Sequence, residues 1–125
     1  MTTLIEGTFA ADLDPDEAHG GTIAYCTLKL AGGKFELHIK RRWIYSIEEG
    51  NTIRGTYAVE DDCLILQARE HHVYTWETVK QESSNPISRK IIATVTRQTE
   101  DLPGMHEMKI GIDWPVKVQL LSLAE

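Results

Sequence analysis

Apolar and polar residues alternate with a period of two along much of the chain. The alternation is clearest over residues 35–40 and recurs over 53–59, 109–114 and 116–120. In a β-strand such a pattern places the apolar side chains on one face and the polar side chains on the other. Residues 91–96 are almost all β-branched, which is also typical of strands. The pattern predicts a chain that is mostly strand, above about 45%, with little helix.

Turn-forming residues divide the predicted strands. Gly32 and Gly33 separate two strand patterns and predict a tight hairpin. Further breaks are predicted at 49–51, 60–62, 83–86 and 101–104, and one helical turn is predicted over 14–18. The runs between these breaks amount to about eight or nine strands. We therefore expect residues 1–125 to form a single all-β domain, an antiparallel up-and-down barrel, with a β-sandwich as the alternative.

A short sequence pattern occurs twice. Residues 5–10 and 53–58 both run isoleucine, charged residue, glycine, threonine, aromatic residue, alanine. A glycine within a strand often marks a bend or a close approach of a neighbouring strand. We expect Gly7 and Gly55 to occupy such positions, covered by Phe9 and Tyr57 respectively.

The chain resembles the small bacterial lipocalin-like barrels of the calycin type. The resemblance rests on residues 7–9, where lipocalins carry Gly-x-Trp and this chain has Gly7-Thr8-Phe9, and on the hairpin pattern of residues 53–66. It covers about a fifth of the chain, and no arginine closing motif is found near the C-terminus. The resemblance implies an antiparallel barrel able to hold a small apolar molecule.

Composition narrows the classes of partner. The apolar fraction of 42% and the charged fraction of 26% are ordinary for a globular protein. A net charge of -6 disfavours nucleic acid and anionic membranes as partners, and the short cluster Lys40 to Arg42 is the only dense basic stretch. With two cysteines and no signal-peptide pattern, the sequence favours a cytoplasmic location with both thiols reduced.

The residues that carry chemistry do not form a catalytic or metal-binding pattern. His71 and His72 are adjacent, so in a strand their side chains point to opposite faces and cannot chelate one ion. Asp12, Asp14 and Asp16 resemble the start of a calcium loop, but the glycine and glutamate that such a loop needs are missing. Cys26 lies in phase with apolar neighbours and is expected to be buried and inert. We therefore expect no metal and no cofactor, and the sequence identifies no base, nucleophile or metal that would carry an enzymatic activity.

Two functions fit the predicted fold. The first is a non-enzymatic binding module that holds a small apolar ligand in the barrel, with Phe35, Tyr57 and Trp76 as lining. The alternative is a structural or interaction protein whose filled core leaves no ligand space and which self-assembles. A homodimer is expected through the C-terminal strand over residues 116–123, because this segment is apolar at positions of both parities.

Overall fold

The strands form one closed antiparallel barrel. The computed structural model describes residues 5–13, 23–42, 48–61, 63–76, 79–99, 106–114 and 117–122. The strands are β1 (Gly7–Leu13), β2 (Ile23–Ala31), β3 (Lys34–Arg42), β4 (Glu48–Glu60), β5 (Cys63–Trp76), β6 (Lys80–Thr99), β7 (His106–Ile112) and β8 (Val118–Ser122). Consecutive strands pair with each other, and β1 also pairs with β8. The predicted up-and-down barrel is confirmed, with eight strands and closure in place of the alternative sandwich.

The turns at one end of the barrel agree with the sequence. Gly32 and Gly33 connect β2 to β3 with φ values of 58° and 78°, which glycine adopts without steric cost. Asp61 has a φ of 53° in the turn between β4 and β5. We call this end the base. The opposite end, where β3 ends at Arg42 and β5 ends at Trp76, is called the top.

Two predicted breaks are wrong, because both segments lie inside strands. Residues 49–51 belong to β4, where the ring of Tyr74 on β5 occupies the space that a side chain at Gly50 would need. Residues 83–86 belong to β6. Among the residues that the structure describes, this part of β6 pairs only with β5, since its pairing with β7 begins at Thr94. A strand edge without a neighbour tolerates Pro86, which lacks a backbone donor.

The long strands bend at one level. The pairing of β4 with β5 shifts between Arg54 and Gly55, and the pairing of β5 with β6 shifts between Ala68 and Glu70. Irregularities of this kind bend a strand and increase its twist. Above the bend β5 stays paired with both β4 and β6 as the strands continue toward the top.

The inward positions are filled with apolar side chains. Along β3, Phe35, Leu37 and Ile39 are buried, as the alternation predicted. The described core consists of eighteen residues. They are Ile5, Phe9, Cys26, Leu28, Leu30, Phe35, Leu37, Ile39, Ile53, Tyr57, Leu64, Leu66, Ala68, Ile91, Ala93, Ile110, Ile112 and Leu120.

Strand β8 completes the barrel. It pairs with β7 on one side and with β1 on the other, so neither edge is open over its paired residues. Leu120 faces the interior and is fully buried, whereas Leu121 faces outward and is 39% exposed. Burial inside the closed barrel therefore explains why one of the two alternating sets of positions in this segment is apolar.

Some expectations fall outside the described residues. These are the helical turn over 14–18, the break at 101–104, and the ends of the C-terminal segment at 116 and 123. Within the described ranges, no helix has the length and hydropathy needed to cross a membrane.

Candidate functional site

Two of the three predicted ligand-lining residues lie together at the base. Phe35 and Tyr57 are 3% and 7% exposed. The hydroxyl of Tyr57 donates a hydrogen bond of 2.6 Å to the carbonyl oxygen of Ile5, and its main-chain nitrogen donates to Gly33. Burial raises the pKa of Tyr57, which keeps the hydroxyl protonated as the donor. Both rings are part of the packed core at this end.

Trp76 lies at the other end of the barrel. It pairs with Glu48, whereas Tyr57 lies near the opposite end of β4. At a rise of about 3.3 Å per residue, these two levels of β4 are roughly 30 Å apart. Trp76 is 47% exposed. The structure therefore brings Phe35 and Tyr57 together, but it does not bring Trp76 to them.

The two repeated glycines differ in what covers them. Gly7 has a φ of 137°, and a β-carbon built there would lie 3.9 Å from Cε1 of Phe9, as expected. The expectation that Tyr57 covers Gly55 is wrong. The nearest ring is that of Phe35, directly across the ladder on β3. A cross-strand neighbour lies closer than a residue two positions along the same strand.

Aromatic and polar residues cover the outer face of the sheet near the top. His72, Tyr74 and Trp76 alternate along β5 on this face. Tyr74 packs on Gly50, with the ammonium of Lys80 5.2 Å from its ring centre. Burial raises the pKa of Tyr74, and its hydroxyl lies 3.5 Å from Oε1 of Glu48. Tyr74 is thus engaged by its own neighbours.

The adjacent residues His71 and His72 have different hydrogen-bond partners. Asn51 donates its amide to Glu49, so its Oδ1 faces Nε2 of His71 at 3.0 Å, and that nitrogen is the donor. On the opposite face, Nδ1 of His72 lies 2.8 Å from Oγ of Ser84. The adjacent imidazoles point to opposite faces, as expected. Among the described residues, no three His, Cys, Asp or Glu side chains are grouped as a metal site.

His38 is also engaged on the outer face. Its Nδ1 lies 2.9 Å from Oγ1 of Thr52, which is only 6% exposed. Burial lowers the pKa of His38, so this side chain is neutral over most of the physiological range. Lys40, the first residue of the basic cluster, forms an ion pair with Glu48. These contacts stabilise the sheet and occupy the side chains of His38 and Lys40.

The two thiols are not bonded to each other. Cys26 and Cys63 are both free. Cys26 is fully buried, and burial raises its pKa to about 12. A thiol with such a pKa is not a nucleophile near neutral pH.

A hollow of about 270 Å³ lies on the outer side of β2, β3 and β4. It is lined by the charged side chains of Lys29, Lys34, Glu36 and Arg54, and also by Ala31, Gly55 and Phe35, one of the predicted ligand-lining residues. Arg54 donates to Glu36 at 3.1 Å, and its other end lies 3.7 Å from Glu70. The lining thus combines charged side chains with the apolar surface of Phe35 and Ala31.

Sequence reasoning missed an exposed apolar pair on the opposite part of the wall. Ile65 on β5 and Ile92 on β6 are directly paired, and Ile92 is 61% exposed. Alternation with Leu64, Leu66, Ile91 and Ala93 could have shown that both isoleucines face outward. The alternation is hard to see in this segment because Ile91, which faces inward, and Ile92, which faces outward, are both apolar.

Comparison with known proteins identified no relative of this chain. No family model, no curated protein and no solved structure matches this chain.

Proposed function

We propose that this chain is a non-enzymatic interaction protein that self-assembles, with a barrel whose core is filled by its own side chains. The observation that carries this proposal is the set of buried apolar residues on the inward positions of all eight strands. An eight-stranded barrel has an interior just wide enough for its side chains or for one small ligand. Here large side chains, such as those of Leu28, Leu37 and Leu66, occupy it.

The state of the reactive residues supports a non-enzymatic role. His38, His71 and His72 each have a side-chain partner, and the thiol of Cys26 is buried. Catalysis needs a base or nucleophile exposed to a substrate. The polar groups of the outer face instead bond to each other.

An apolar ligand held in the barrel stays a prediction. Phe35 and Tyr57 support it by their position at one end of the interior, but both are tightly packed there. Trp76 is on the outer face at the far end. The geometry therefore supports self-assembly better than ligand storage.

We also infer a distant lipocalin-like ancestry. The closed eight-strand order and the contact of Phe9 with Gly7 support it. A shared fold does not carry a shared function, so the proposal of self-assembly does not depend on it.

Sedimentation equilibrium of the purified chain at tens of micromolar tests the proposed function. We expect a mass above that of the 14.1 kDa monomer, with association that weakens on dilution. A monomer over the whole concentration range would refute self-assembly.

A further inference from the structure

Three cationic side chains surround the outer hollow of β2, β3 and β4. Lys29 pairs with Glu36, which lies two positions from Lys34 on β3. Lys29 and Lys34 are therefore diagonal neighbours, roughly 7–8 Å apart across the ladder. Arg54 on β4 also pairs with Glu36, so it is the diagonal neighbour of Lys34 on the other side. Two flexible ammonium groups and one guanidinium thus border the same small volume.

The floor of the hollow is apolar. Phe35 and Gly55 pair across β3 and β4, between the row that contains Glu36 and the row that contains Lys34. Because Gly55 has no side chain and the ring of Phe35 is buried in the core, neither residue fills the space between the charged side chains. The methyl group of Ala31 adds to this floor.

The size of the hollow suits a small molecule. Its volume is about 270 Å³, and pockets for drug-sized ligands usually have about 300–1,000 Å³. Its charged residues are exposed, so a ligand reaches it from solvent without movement of the barrel.

The carboxylates around the hollow already have partners. Oε2 of Glu36 accepts a hydrogen bond of 3.1 Å from Nε of Arg54, and Nη1 of the same guanidinium lies 3.7 Å from Oε1 of Glu70. Near the turn between β2 and β3, the main-chain nitrogen of Gly32 donates to Oε1 of Glu6 at 3.4 Å. The negative charge beside the hollow is therefore largely compensated within the wall.

Lys29 and Lys34 supply the remaining positive charge. Among the described residues, neither lysine forms an ion pair, whereas Lys40 and Lys80 each pair with a glutamate. The chain as a whole carries a net charge of -6. Two neighbouring ammonium groups make the hollow a locally positive part of this negative surface, and such a region attracts small anions.

We propose that the hollow binds a small organic carboxylate, with its apolar part on the floor and its carboxylate between Lys29 and Lys34. A purely inorganic anion would leave the floor uncovered, and a purely apolar molecule would leave both ammonium groups without a partner. Such a ligand buries little area and dissociates readily, so a chain purified without it carries none. The site lies within one chain, so this inference does not depend on self-assembly.

Titration with benzoate tests the site, because benzoate joins a flat apolar ring to one carboxylate. In ¹H–¹⁵N NMR spectra at low ionic strength, the main-chain amides of Phe35 and Gly55 should shift and saturate. Benzamide has the ring without the charge, and acetate has the charge without the ring. Each should bind at least about fivefold more weakly than benzoate. Equal affinity of acetate and benzoate, or no saturable shift at these amides, would overturn the proposal.

Two lysine substitutions locate the carboxylate. Lys34→Gln should raise the dissociation constant of benzoate about fivefold or more, because it removes one ammonium group from the hollow. Lys90→Gln is the matched control, since Lys90 is an exposed lysine on β6, outside the hollow. Both substitutions change the net charge equally, so a difference between them reports the location of the charge.

Circular dichroism should show both variants folded. Lys34→Arg keeps the charge and should bind benzoate within about threefold of the wild type. Equal dissociation constants for Lys34→Gln and Lys90→Gln would overturn the assignment of the carboxylate to this hollow.

Discussion

Gly55 lies where β4 bends, and its lack of a side chain permits two close contacts. A β-carbon there would overlap the carbonyl oxygen of Gln67 and lie 2.9 Å from Cε1 of Phe35. The first neighbour is backbone in a hydrogen-bonded ladder, so it cannot move away without breaking the pairing of β4 with β5.

Replacing Gly55 with valine should therefore destabilise the barrel. We expect a loss of about 1–3 kcal/mol in the free energy of unfolding, from overpacking and backbone displacement. Urea denaturation measures it. Ala58→Val, at an exposed position of the same strand, is the control and should change stability by less than about 0.5 kcal/mol. Equal effects of the two substitutions would show that Gly55 is incidental.

Cys26 should make stability depend on pH in the alkaline range. Burial raises its thiol pKa from 9.0 to about 12, so the unfolded chain loses this proton at a lower pH than the folded chain. The stabilisation is complete below pH 9.0 and is lost as the pH rises toward 12. The expected slope in this window approaches about 1.4 kcal/mol per pH unit.

Cys26→Val isolates this contribution, because valine has a similar volume and does not ionise. Urea denaturation between pH 8 and 11 should show a smaller loss of stability for the variant than for the wild type, in the window set by the pKa shift. Parallel pH profiles would mean that Cys26 is not protected from ionisation.

At the scale of strands, period-two alternation predicted most of the fold. It identified β3 correctly because Phe35, Leu37 and Ile39 face inward and alternate with polar or charged residues. The breaks predicted at Gly50 and Pro86 were wrong, because glycine and proline indicate a turn from the local sequence alone. The ring of Tyr74 that covers Gly50, and the open edge that tolerates Pro86, depend on register between distant segments.

The candidate site was harder to predict than the fold. In the sequence, Tyr57 and Trp76 each lie in an alternating strand pattern. The distance between the two side chains, however, depends on the lengths of β4 and β5 and on how these strands pair. Because β4 and β5 are 13 and 14 residues long, the two aromatic residues lie at different ends. Likewise, the outward direction of Ile92 depends on the pairing of Leu64 and Ala93 inside the barrel.

The two leucines of β8 should respond differently to truncation. Leu120→Ala removes a fully buried side chain and should cost about 2–5 kcal/mol, because a cavity remains in the core. Leu121→Ala removes a side chain that is 39% exposed and should cost less than about 1 kcal/mol in the monomer. Thermal denaturation at low protein concentration compares them. Similar losses would contradict the assigned directions of this strand.

At the scale of the whole molecule, the interior and the surface have separate roles. The core side chains hold eight strands in a closed wall, and ion pairs such as Lys40–Glu48 and Arg54–Glu36 lie on its outer surface. Ile92 and Leu121 are large apolar exceptions to that polarity among the described wall residues. The buried interior therefore accounts for the stability of the barrel.

A native mass spectrum tests this account most directly, because it reports the oligomeric state and any retained small molecule together. For chain purified without denaturation, the account predicts the mass of two copies with no additional organic molecule. A single 14.1 kDa chain carrying a bound apolar compound would contradict it.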